Sequence, residues 1–188
     1  MNKLYIAAVL IIVPGAIFSR PAFAKVVNPF AAAPAAPVDS HAFPSYDGDF
    51  SAMLMVIPES DLKEFGKPSD QGLHLNGLSK IKRGQKVVFK ICFSGMSINE
   101  VSEANVTYDM KLLGPDGKIS SRLNNKDMEG IVRTIPQKYR FQIFDNLQTP
   151  IAEFEKSDAL GKYKIIADIH DNIGKKNIHL EYEFSLVE

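Results

Sequence analysis

The sequence predicts an all-β protein, an antiparallel β-sandwich of about seven to nine strands. Three observations carry this. Short runs alternate apolar and polar residues with a period of two, turn signals separate them at intervals of about ten residues, and no stretch sustains a helical apolar period. One apolar and one polar face per strand is what two packed sheets require.

Taken in order, residues 50–57 form a near-continuous apolar run of strand length, stopped by Pro58. Residues 60–66 read as one helical turn, with Ser60 as its cap, Leu62 and Phe65 on one face and Gly66 at its end. Residues 72–81 are irregular, with an edge strand expected around Leu73, Leu75 and Leu78. After the turn Arg83-Gly84-Gln85, residues 87–93 predict a strand. Val87, Phe89, Ile91 and Phe93 share one face, Val88, Lys90 and Cys92 the other, and Ser94-Gly95 ends it. Val106, Tyr108, Met110 and Leu112 then alternate with Thr107, Asp109 and Lys111. Gly114-Pro115-Asp116-Gly117-Lys118 is a tight turn, because proline presets its first central φ and Asp-Gly takes the second bend.

Residues 119–123 return as a short strand, 124–130 read as a polar loop, and 131–135 as a short edge strand. Tyr139, Phe141 and Ile143 alternate with Arg140 and Gln142 and predict another strand, with a further short one at 151–154. The clearest strands are 162–169 and 178–187, joined by the loop 171–177 around Gly174. Their apolar faces are Tyr163, Ile165, Ala167, Ile169 and Ile178, Leu180, Tyr182, Phe184, Leu186. Met53, Met55 and Met110 fit core positions as fillers.

The N-terminus is different in kind. Lys3 gives a positive start, residues 4–18 are an apolar run broken by Pro14-Gly15, and Ala22-Phe23-Ala24 supplies a small-x-small pattern. That is the form of a secretory signal peptide, with cleavage expected after Ala24. The run is shorter than the ~20 residues a spanning helix needs. Residues 25–48 hold Pro29, Pro34, Pro37, Pro44 and an alanine-rich stretch, and read as a flexible Pro/Ala-rich segment. The expected organisation is therefore a signal peptide 1–24, a flexible segment 25–48 and a β-sandwich domain 49–188. No later segment is apolar enough to predict a membrane span in the mature chain.

The chain has 22 basic and 22 acidic residues. Without residues 1–24, which hold Lys3 and Arg20 and no acid, 20 basic and 22 acidic residues remain, a balance of −2. Overall neutrality gives no electrostatic case for nucleic acid or an anionic membrane. The single cysteine, Cys92, permits no internal disulfide, which together with export fits a bacterial periplasm. Residue 25 is lysine, so no lipid-anchor cysteine follows the expected cleavage site. Asn105-Val106-Thr107 matches a glycosylation acceptor, which on a bacterial reading is a chance match within a strand.

Asp158-Ala159-Leu160-Gly161-Lys162-Tyr163, just before the penultimate strand, resembles the D-x-G-x-Y signature of immunoglobulin-like domains, with one extra residue between Asp158 and Gly161. The resemblance implies that Tyr163 forms a tyrosine corner, its hydroxyl bonding back to nearby backbone. Residues 82–95 look like the early core strand of immunoglobulin-like and macroglobulin-like domains. With no tryptophan and a partnerless Cys92, the chain departs from antibody-type domains. From Phe50 onward it also resembles a group of small exported bacterial proteins of unassigned role, through Phe93-Ser94-Gly95, Pro115-Asp116-Gly117 and the closing hairpin after Asp158. That resemblance implies a fold and a compartment, and supplies no catalytic residues.

Chemistry-bearing residues are sparse. If the last hairpin pairs residues whose numbers sum to 349, His170 faces His179 and Asp168 faces Glu181. That would give two imidazoles and two carboxylates for Zn²⁺ or Cu²⁺. The alternative is an ordinary solvated face of polar cross-strand pairs. Cys92 has Lys90 two residues away on the same face, which would lower its pKa, against the plainer reading of an inert filler. No nucleophile elbow or phosphate loop is present in the sequence, and no cofactor is expected. The leading expectation is a non-enzymatic periplasmic binding or assembly module. Its partner is expected to be another periplasmic or envelope protein, contacted through loops 124–130 and 171–177. The alternative is a periplasmic metal-binding protein using the last hairpin.

Overall fold

The computed structural model describes residues 44–67 and 75–188. The predicted signal peptide, residues 25–43 of the Pro/Ala-rich segment, His41, Leu73 and His74 lie outside the described residues. Ten strands are described: β1 (Ser45–Asp47), β2 (Phe50–Pro58), β3 (Lys80–Lys82), β4 (Lys86–Ser94), β5 (Glu103–Leu113), β6 (Ile119–Thr134), β7 (Phe144–Asp145), β8 (Ile151–Glu153), β9 (Gly161–Asp171) and β10 (Lys176–Val187). They form two five-stranded sheets. The first runs β1-β2-β4-β7, with β8 also on β4, and the second β3-β10-β9-β5-β6. The pairs are antiparallel except β3 with β10, which is parallel. This is the expected all-β sandwich.

The period-two pattern explains the core. Leu54, Val56, Phe89, Ile91 and Phe93 of the first sheet face Val106, Tyr108, Met110, Ile165, Ala167, Leu180, Tyr182 and Phe184 of the second, and all are buried. Phe154, Tyr163 and Phe184 close one end as a ring cluster with centroids 5.2 to 5.6 Å apart. Such pairs add about 0.5–1.5 kcal/mol each beyond their burial.

Several elements differ from the sequence reading. Ser45–Asp47, inside the segment read as flexible, pairs with β2 as an edge strand. The helical turn is a 3-10 helix over Glu59–Gly66 that starts at Pro58. Ser60 does not cap it but bonds Asp61. This helix lays Leu62 and Phe65 on the outer face of β2 and β4. There they make a second small core with Met55, Ile57, Val88 and Cys92. Strand β4 is thus buried on both faces, not one.

The segment 124–130, read as a loop, is part of one continuous sixteen-residue strand β6. Its pairing to β5 shifts register at three places, and Lys126 and Asp127 stand out between Asn125 and Met128. Asp127 sits at φ 52° and donates its N–H to Asp109 Oδ1 at 2.9 Å. An edge strand carrying bulges and charges has a loop-like composition, because both are devices that protect an open edge.

The strand predicted at 139–143 does not form. Pro136 precedes a 3-10 turn over Gln137–Tyr139. A β7 extended back to residue 139 would lie opposite residues 94–98, past the end of β4, where Gly95 turns the chain at φ 71°. Beyond the other end of β7 a side chain continues the pairing. Asn146 accepts the Ile91 N–H at Oδ1 (3.0 Å) and donates its own N–H to the Ile91 carbonyl (3.1 Å).

Both open sides of the sandwich are laced by backbone bonds. On one side Asn146 is held to β4, while Leu147 and Gln148 donate to Gly130 and Glu129 of β6 at 2.9 and 3.1 Å. On the other, Leu78 donates to Val56 of β2 and Ser185 of β10 donates to Ser79.

Candidate functional site

The residues expected to hold a metal share the outer face of the second sheet, but not in the expected register. His179 pairs with Asp168, His170 with Asn177 and Glu181 with Ile166, so the numbers sum to 347. The cause lies in the turn. Asp171, buried, accepts N–H bonds from Gly174 (3.0 Å) and Ser97 (2.8 Å), and so pins the hairpin early. Asn172 is drawn out to β5, where it bonds Asn105 and Thr107. The pairing of His170 with His179 that the metal reading requires is therefore not formed. His170 Nδ1 lies 2.7 Å from Asn177 Oδ1. Among the described residues, no group of three or more His, Cys, Asp or Glu is gathered to hold a metal ion.

What does assemble there is a polar lattice. Asp109, Asp168 and His179 lie in one row across β5, β9 and β10. His179 Nδ1 donates to Asp168 Oδ1 at 2.6 Å, and this bond holds the imidazole pKa above its ordinary value, with the Glu181 carboxylate helping. Lys164 bonds Glu181 (2.8 Å) and Glu183 (3.3 Å); Glu181 raises its pKa most, and Lys164 in turn lowers that of Glu181. A shallow cleft of about 210 Å³ lies beside this row, between Lys111, Asn124, Asn125, Lys126 and Ile166.

Cys92 is not activated. It is 1% exposed, and burial, reinforced by the Asp145 charge, pushes its thiol up to about 12 against the opposing pull of Lys90. Lys90, itself buried, is engaged elsewhere. It forms an ion pair with Asp145, donates to Thr149 Oγ1 at 3.0 Å and lies 4.8 Å from the Phe65 ring centroid. The sequence signal for this was one lysine within an otherwise apolar strand.

Of the two loops expected as contact surface, 124–130 is strand and 171–177 is a tightly bonded turn. One surface with exposed apolar side chains lies between them in sequence, on the segment read as a strand; exposed apolar side chains elsewhere include Val101, Leu147 and Ile151. Tyr139, Phe141 and Ile143 are 39, 52 and 42% exposed. The backbone beneath them is fixed. Ser94 Oγ donates to the Phe141 carbonyl (2.9 Å), Gly95 N–H to the Arg140 carbonyl (2.9 Å) and Gln142 N–H to the Tyr139 carbonyl (2.9 Å), while Arg140 pairs with Asp49. Lys138 lies over the Tyr139 ring at 4.7 Å, Arg140 over Phe141 at 4.3 Å and Arg133 over Phe144 at 5.6 Å. The alternation was visible in the sequence, but the side it presents was not.

No protein-family model and no curated protein sequence matches the chain. Among solved structures, it is similar to a family 123 glycoside hydrolase from Clostridium perfringens that acts on glycolipid glycans. The TM-score is 0.41 and the identity 12%, over 74% of this chain and 27% of that one. It is also similar to a Niemann-Pick type C2 protein from the Japanese carpenter ant, with TM-score 0.39 and identity 10%, over 80% of this chain and 98% of that one. Both are likenesses of loose shape and add nothing to the site.

Proposed function

We propose that this chain is an exported, non-enzymatic binding or assembly module of the bacterial periplasm, of the immunoglobulin-like or macroglobulin-like type, whose partner is a component of the cell envelope. The observation that carries the reading is the set Tyr139, Phe141 and Ile143, held out to solvent on a turn whose backbone is bonded to β4. Apolar side chains displayed on a pinned frame pre-organise a contact surface, since little ordering remains to be done on binding. The N-terminal signal pattern supports export, and the first-sheet edge supplies the rigid support.

The test is retention on isolated envelopes. The parent is expected to sediment with envelopes of the producing cell. Phe141→Ser/Ile143→Ser is expected to stay in solution while unfolding at the parent's urea midpoint. Equal retention of both proteins would overturn the surface. Turnover of any substrate, lost on a single polar substitution, would overturn the non-enzymatic reading.

A further inference from the structure

We infer that the partner at this turn is an anionic phospholipid surface; this rests on the proposed contact surface and names its ligand. Charge on this chain is uneven. The whole sequence balances to zero, yet residues 130–144 hold Arg133, Lys138 and Arg140 and not one acid. Asp145, the next acid, is committed to the buried Lys90. Arg133 and Lys138 are exposed, and both lie over ring faces rather than against carboxylates.

The result is a compact unit. Three apolar side chains are exposed, and three cations lie over rings of the same segment, Arg133 on Phe144, Lys138 on Tyr139 and Arg140 on Phe141, of which Arg140 is also paired with Asp49. That composition matches the membrane interface. Phe and Ile enter the acyl boundary, Tyr stays at headgroup level with its polar tip wet, and Lys and Arg meet the phosphates. A fluid headgroup layer can bring an anion to each cation wherever it stands. A folded protein partner would need carboxylates placed to match cations that already lean on their own rings. Three side chains make a shallow anchor, so binding is reversible and salt-sensitive.

Co-sedimentation with vesicles tests this, using the chain from Lys25 onward, which keeps every described residue and omits the N-terminal apolar run. The parent is expected to sediment with phosphatidylcholine/phosphatidylglycerol vesicles and to remain in solution with phosphatidylcholine alone. Phe141→Ser/Ile143→Ser should weaken binding by about tenfold or more, as two apolar side chains are no longer buried. Arg133→Glu/Lys138→Glu should abolish the preference for phosphatidylglycerol while leaving the urea midpoint in place. Equal sedimentation with both vesicle types, or no change in either double variant, overturns the inference. Failure on vesicles with Phe141-dependent retention on native envelopes would assign the turn to an envelope protein and leave the binding-module reading standing. Failure in both assays removes both.

Discussion

Tyr163 donates its hydroxyl hydrogen to the carbonyl of Ala159, four residues upstream, at 2.8 Å. This is the tyrosine corner that the Asp158–Tyr163 motif implied. Its ring stacks on Phe184 with 7° between planes, and burial, followed by the Asp158 charge, raises the hydroxyl pKa. The loop beneath it is clamped. Arg122 grips both oxygens of Asp158 at 2.9 and 2.8 Å, and Arg83 donates to the Asp158 carbonyl at 2.7 Å.

Tyr163→Phe removes only the hydroxyl, and because Ala159 is exposed its carbonyl can turn to water, so the cost is about 0.5–1.5 kcal/mol. Tyr163→Ala also removes a buried ring, at about 3–5 kcal/mol by analogy with Phe→Ala in cores. Urea unfolding measures both. A Tyr163→Phe midpoint equal to the parent's would mean that the corner bond contributes nothing to stability.

Two glycines separate strain from collision. Gly84 has φ +77° with open space where a Cβ would go, whereas at Gly95, φ +71°, a Cβ would lie 1.9 Å from the backbone oxygen of Asp49. Gly84→Ala is expected to cost about 1–2 kcal/mol, the ordinary left-handed penalty. Gly95→Ala must also part the β1–β2 turn from the end of β4, and is expected to unfold at a far lower urea midpoint. Equal midpoints for the two variants would show that the close approach is relieved without cost.

Asp145→Asn should destabilise the fold by removing the compensating charge of the buried Lys90. The loss is expected to be somewhat below the ~3–5 kcal/mol of a fully buried pair, because the Asp145 side chain is 41% exposed. Lys90→Met fills the same space beside Met55, Cys92 and Phe65 with an apolar chain and should change stability by less than about 1.5 kcal/mol. In the double variant the cost of Asp145→Asn should vanish. A full cost persisting there would show that Asp145 acts through something other than Lys90.

His179 makes a pH-dependent contribution whose sign follows from its raised pKa. The folded protein holds the proton more tightly than the unfolded chain. The stabilisation is therefore complete below the ordinary value of 6.5 and is lost as pH rises through the higher folded value. The ring is 58% exposed, so the effect is small, within the range of surface ion pairs. His179→Gln should lower the urea midpoint at about pH 5.5 and match the parent at about pH 9. A difference that grew with pH would reverse the assignment.

Strands β5, β9 and β10 were legible residue by residue, because a sheet with one buried face writes its period of two directly into the sequence. Tyr163 was legible because a short motif fixes its place at the strand entry. The hairpin register was not. It was decided by Asp171 and Asn172, whose partners Ser97, Asn105 and Thr107 lie on another strand and its approach. The double burial of β4 was also not legible, since the 3-10 helix that covers its outer face carries only Leu62 and Phe65 as a signal. Phe141 shows the limit most clearly. Its alternation with Arg140 and Gln142 is that of a strand, but a strand needs a partner edge, and β4 ends at Ser94, before the residues that would lie opposite Phe141. By itself the sequence determined most of the sheet-forming segments, because these depend on local composition and period. Tertiary structure alone decided which polar groups meet, which face of β4 is covered, and that Tyr139, Phe141 and Ile143 stand in solvent, because those depend on long-range pairing that no local pattern records.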